Sequence, residues 1–148
     1  MITEEMKALV RRHTLAFVAS VGVDGTPNLS PKATMLVLDD DHIAFGHLRS
    51  PNTIQNIEHQ PVLELNFIDV FARKGYRFKG PATYEKRGTD RFESLLPCFA
   101  GWGALCEDFL GIVVVRVERA LPVTSPAYDH GATEVDITAQ WREHYLNM

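Results

Sequence analysis

The amino-acid sequence predicts a mainly β protein, an antiparallel β-barrel or sandwich with small flanking helices. Three observations carry this expectation. Six short runs of strand-forming residues follow one another at close spacing, the pattern of barrels and sandwiches. Polar turn signals, among them Asp24-Gly25 and Asp39-Asp40-Asp41, separate the early runs. The regular alternation of strand and helix that marks a doubly wound sheet is missing. No repeat, low-complexity segment or linker interrupts the chain, so residues 1–148 are expected to form a single domain.

The elements follow in order. Thr3 can cap a first helix whose positive end suits Glu4 and Glu5 and whose inner face is Met6, Leu9 and Val10. Thr14 to Val21 is rich in strand formers, and Asp24-Gly25 turns the chain into a second extended stretch from about Asn28 to Leu38. Pro31 removes a ladder donor and points to an edge or a bulge. His42 to Gly46 reads as the third strand. Ser50 is a good N-cap and Pro51 a good first residue for a helix that Pro61 stops. Val62 to Asp69 alternates, with Leu63, Leu65 and Phe67 on one face, and Tyr76 to Tyr84 alternates likewise. Thr89 to Leu96 suits a short helix with Phe92, Leu95 and Leu96 inward. Leu110 to Val117, almost all apolar and β-branched, suits a central buried strand. Beyond Pro122 the chain is expected to be irregular until a last helix near Thr138, where Ile137, Trp141 and Tyr145 recur every four residues.

Composition narrows the function. With 15 basic and 19 acidic residues the net charge is −4, whereas general nucleic-acid binding is driven by basic charge; no nucleic-acid partner is expected. No apolar run approaches the roughly 20 residues that cross a bilayer. Acidic residues in MITEEMKALVRRH stand where a secretory signal has its basic stretch. A cytoplasmic protein with no membrane partner is the expectation, and Cys98 and Cys106 read as reduced thiols. The six histidines show no metal-ligand spacing, and no nucleophile elbow, Walker loop or dinucleotide fingerprint is present.

Three segments could carry chemistry. Leu48-Arg49-Ser50-Pro51-Asn52-Thr53 opens a helix with two hydroxyls, an amide and a cation, and helix starts attract anions. A phosphate cradle and an ordinary capped helix both fit. Around Pro31, an irregular strand leaves backbone groups free to meet a heterocycle edge, with Lys32 adding charge; a bulged edge strand with a solvated lysine fits as well. Arg73, Lys74, Arg77 and Lys79 gather cations that could hold or steer an anion, or form a solvated hairpin face. Gly101-Trp102-Gly103 suits a lid, a subunit contact or a loop pinned by one ring.

The run GVDGTPNLSPKATMLVLDDDHIAFGHLRSPNTIQNIEHQPVLELNF resembles the pyridoxamine 5′-phosphate oxidase-like family of FMN-binding split barrels. The order of Asp-Gly turn, strand, Asp-rich turn, strand ending in Phe45-Gly46, capped helix and strand from Val62 carries the likeness over residues 10–80. The tail SPAYDHGATEV, with its later Trp and Tyr, adds to it. The resemblance implies a six-stranded antiparallel split barrel, FMN-binding and homodimeric, with FMN at the dimer interface. It implies that Ser30, Pro31, Lys32 and Ala33 run along the isoalloxazine ring. Ser50, Asn52 and Thr53 then take the phosphate, with Arg49 beside them, and His47 and Leu48 lie near the ribityl chain. Trp102 and Tyr128 are the candidates from a second subunit. Flavin would move hydride or electrons between a nicotinamide donor and a small acceptor, with no catalytic side chain. Lys32 near the ring would stabilise reduced flavin, so Lys32→Met is expected to lower its potential. The fold is also compatible with a non-catalytic flavin carrier or sensor, or with deazaflavin or haem as ligand. Two departures stand out: Asn52 occupies a place where members commonly carry Lys or Arg, and the arginine-rich C-terminal substrate segment of the vitamin-converting oxidases is missing. True vitamin oxidase activity is therefore not expected.

Overall fold

The computed structural model describes residues 1–148. Thr3 opens helix α1 (Glu4–Arg12) by accepting the Met6 N–H, and Leu9 and Val10 form its buried face, as their spacing requires. Eight strands build one curled antiparallel sheet: β1 (Ala16–Val21), β2 (Pro27–Lys32), β3 (Met35–Val37), β4 (His42–His47), β5 (Val62–Asp69), β6 (Lys74–Lys86), β7 (Gly111–Arg116) and β8 (Arg119–Thr124). Their order is β2-β1-β5-β6-β7-β4-β3, with β8 also paired to β6. Helices α2 (Pro51–His59), α3 (Asp90–Leu95) and α4 (Glu134–Leu146) flank it, with 3-10 turns at Leu96–Asp108 and Pro126–His130. The architecture is the mainly β split barrel expected, and no helix is long and apolar enough to cross a membrane.

The count of six strands becomes eight for two physical reasons. The stretch from Asn28 to Leu38 is two strands, β2 paired with β1 and β3 paired with β4. The break falls at Thr34, whose hydroxyl accepts the Gly46 N–H at 3.1 Å and donates to the Gly46 carbonyl at 3.2 Å, replacing ladder bonds. The chain beyond Pro122, expected to be irregular, instead continues as strand β8 to Thr124. It pairs with β6 alone, so an edge position tolerates the missing donor. Pro31 sits on β2, a strand at one end of the strand order, for the same reason. Helix α4 starts at Glu134, ahead of the expected position, because Thr133 caps it by accepting the Asp136 N–H.

Strand β6 holds the halves together. One edge pairs with β5 from Lys74 to Pro81; the other pairs with β8 up to Lys79 and with β7 from Ala82. Gly80 stands at the changeover, where a Cβ would fall 1.7 Å from the Arg116 carbonyl oxygen. Strand β7 is apolar from Gly111 to Val115 because both its faces are covered there, and only Arg116 at its end is exposed. Val113 and Val115 join Ile43, Phe45, Leu65, Phe67 and others inside the barrel. Ile112 and Val114 join Ala44, Phe92, Phe99 and Phe109 in a second cluster on the other side. Burying each such large side chain contributes about 1.5–3 kcal/mol.

The C-terminal helix is pinned to the β5–β6 turn. The Arg73 guanidinium lies 3.4 Å from the centre of the Trp141 ring, and Lys74 pairs with Glu134 at 2.9 Å.

Candidate functional site

Three pieces of chain converge where β2 ends, β4 ends and α2 begins. Alternation along β2 turns Asn28, Ser30 and Lys32 to the half-buried side and leaves Leu29 and Pro31 exposed. The Lys32 ammonium donates to Ser30 Oγ at 2.9 Å and to Ser50 Oγ, and the two serine hydroxyls lie 3.5 Å apart. Two segments that the sequence presents separately thus meet at one point.

Ser50 holds the N-cap position of α2 without capping it. Its hydroxyl accepts from Lys32 and donates to the Arg49 carbonyl. Pro51 has no N–H, and the Asn52 and Thr53 amides find no acceptor in the protein. Free N–H groups at a helix start, with the partial positive charge of the helix, form an anion seat. Lys32 adds a full charge, and burial holds its pKa below the ordinary lysine value of 10.5. Thr53 is buried; Arg49, Asn52, Ala33 and Pro31 are exposed at the rim, and Leu48 packs on the second apolar cluster.

His47, at the end of β4, is buried with only 7% exposure. Its Nδ1 lies 2.9 Å from the Tyr84 hydroxyl, and the rings meet edge-on at 5.5 Å. Nδ1 and the Tyr84 hydroxyl share this one hydrogen bond, and Nε2 is buried without a partner. Burial first, and the Lys32 charge second, hold the His47 pKa below 6.5. Burial, then Glu58, raises the Tyr84 phenol above 10.0. Both groups are neutral at pH 7. Gly111 makes room for Tyr84: a Cβ there would lie 2.3 Å from its ring.

The fold therefore gathers Ser30, Lys32, His47, Ser50, Asn52 and Thr53. It does not bring Trp102 or Tyr128 of the same chain to them. Trp102 packs against Phe99 with tilted rings 5.6 Å apart, and the Tyr128 hydroxyl donates to the Ala72 carbonyl at 2.6 Å. The cations from Arg73 to Lys79 do not form one site: Arg73 lies on Trp141, Lys74 pairs with Glu134, and Arg77 pairs with Glu64. Sequence reasoning missed Tyr84 as a site residue, although alternation had placed it on an inward face. Its partner His47 is 37 residues away, beyond any local pattern.

The model of the family described as pyridoxamine 5′-phosphate oxidase matches residues 2–118. Among solved structures, HupZ of Group A Streptococcus is similar at 32% identity and a TM-score of 0.73, over 84% of this chain and 96% of that one. A putative pyridoxamine 5′-phosphate oxidase from Lactobacillus delbrueckii is similar at 24% identity and a TM-score of 0.69, over 80% and 92%. An FMN-binding protein from Syntrophomonas wolfei shares the fold at 13% identity and a TM-score of 0.68, over 84% and 87%. No curated protein matches the chain.

Proposed function

The chain belongs to the pyridoxamine 5′-phosphate oxidase family, and on that premise we propose that it is an FMN-binding oxidoreductase, passing hydride or electrons from a nicotinamide donor to a small acceptor. The observation that carries the reading is the head of α2. A helix start with two free amides, a serine that leaves the cap position unfilled and a half-buried lysine suit a phosphate monoester. Lys32 and Ser30 supply cation and hydroxyl from β2, while Ser50 and the Asn52 and Thr53 amides supply α2. Lys32 offsets the neutrality of Asn52. Arg49 lies exposed beside the seat.

When bound, flavin supplies the electron transfer itself. The chain's part is to hold and orient it. His47 presents a neutral wall to the site, locked by Tyr84. Three of the four cations that kept a deazaflavin in view, Arg73, Lys74 and Arg77, are engaged with Trp141, Glu134 and Glu64, which favours FMN. The exposed apolar side chains Leu15, Phe17 and Leu29 support a homodimer, in which Trp102 and Tyr128 of the second copy are candidates for the flavin groove.

The test is the visible spectrum of the purified protein before and after adding FMN and gel filtration. A two-band flavin spectrum at about one FMN per chain is expected, one ligand for each seat. A colourless protein that takes up no FMN overturns the proposal. Steady oxidation of a nicotinamide donor with an added acceptor then separates an enzyme from a carrier or sensor.

A further inference from the structure

Beyond the phosphate seat, a cleft runs between the β1–β2 turn and the first turns of α2. It is an open groove of about 490 Å³. Four carboxamides line it, those of Asn28, Asn52, Gln55 and Asn56, with Thr26 beside them. The one ionised side chain there, Asp24, is engaged by the Thr26 N–H at 3.1 Å and the Thr26 hydroxyl at 2.7 Å.

Two of the carboxamides are held in fixed orientation. Asn56 is 5% exposed and Ser20 4%. Both Asn56 and Asn28 donate an amide N–H to Ser20 Oγ, at 3.0 and 3.4 Å. Each carbonyl oxygen is thereby turned away from Ser20, and no protein donor reaches either one. Asn56 sits between Ile54 and Ile57 in the buried part of α2, and its carbonyl oxygen faces the groove without a protein donor. Asn52 and Gln55, three residues apart on the helix, have no protein partner and offer donors and acceptors together.

A neutral wall of carboxamides matches the edge of an adenine, whose adjoining acceptor and amino donor pair with Asn or Gln. Asn52 belongs both to the phosphate turn and to this wall, so the two subsites are continuous. We infer that the cleft takes the adenylate half of a dinucleotide whose flavin or nicotinamide half lies in the groove. The inference rests on the flavin reading, and it gives the neutral Asn52 a role that a lysine or arginine could not fill.

The full-length apoprotein is titrated with FMN, FAD and AMP by quenching of flavin fluorescence or by calorimetry, alongside Gln55→Ala and Asn28→Ala. Gln55 is exposed, so its loss leaves the fold intact. FAD is expected to bind at least as tightly as FMN, and AMP to displace FAD but not FMN. Each substitution is expected to weaken FAD about tenfold and leave FMN unchanged. In a second arm, FMN-loaded protein is titrated with NADH. Binding that AMP displaces and Gln55→Ala weakens assigns the cleft to the donor's adenylate rather than to FAD. If FMN binds while neither arm shows an effect of AMP or of the substitutions, the inference is overturned and the FMN reading stands. If no flavin binds, both fall.

Discussion

Lys32 joins the two halves of the candidate site, and its burial makes it testable. The seat needs the ammonium, and burial brings its deprotonation below pH 10.5. FMN affinity is therefore expected to be full near neutrality and to fall as pH rises through the lowered pKa. Lys32→Met is expected to weaken FMN by about tenfold or more, the loss of a charge-assisted hydrogen bond, and to abolish that pH dependence. Riboflavin, which has no phosphate, is expected to lose less affinity than FMN on this substitution in fluorescence titrations. A second residue-scale prediction concerns Gly111. An Ala there places its Cβ 2.3 Å from the Tyr84 ring, so it is expected to cost about 1–3 kcal/mol, read as a lowered Tm. At this scale Ser50, Asn52 and Thr53 were legible as candidates, because polar groups at a helix start have a chemistry of their own, whereas Lys32 and His47 entered as site residues through the family resemblance. The Lys32–Ser50 contact and the Tyr84–His47 pair were not legible, since they join residues 18 and 37 positions apart.

At the scale of elements, the helix starts differ in kind. Thr3, Thr89 and Thr133 each accept a backbone N–H and cap their helices. Ser50 does not. Thr3→Ala is therefore expected to destabilise the fold by about 1 kcal/mol. Ser50→Ala is expected to leave stability nearly unchanged and to weaken FMN instead. Chemical denaturation of the two variants, with FMN titration of the second, separates the roles; equal destabilisation would refute the distinction. Elements with strong local period, such as α1 and β5, were readable from sequence with little error. The division of β2 from β3 and the existence of β8 were not. The first depends on Thr34 meeting Gly46 across the sheet, the second on β6 offering Pro122 an edge that needs no donor.

For the molecule as a whole, the outer side of the β1–β2 edge carries Phe17 at 45% and Leu29 at 65% exposure, with Leu15 nearby at 57%. Such a group of exposed apolar side chains suits a subunit contact. Phe17→Asp is expected to convert a dimer to a monomer in light scattering after gel filtration, with the barrel intact by circular dichroism. A dimer that survives the substitution would place the contact elsewhere. Composition and strand pattern made the fold class legible, whereas an assembly depends on which surfaces a second chain covers, which no period in one sequence encodes. The shared strand β6 has a consequence during synthesis. Its second edge is completed only by β7 and β8, which end at Thr124. A nascent chain halted before that residue leaves the longest strand with an open border, an invitation to pair with neighbouring chains. A chain truncated before β7 is thus expected to aggregate, read by light scattering, where the full-length protein stays monodisperse.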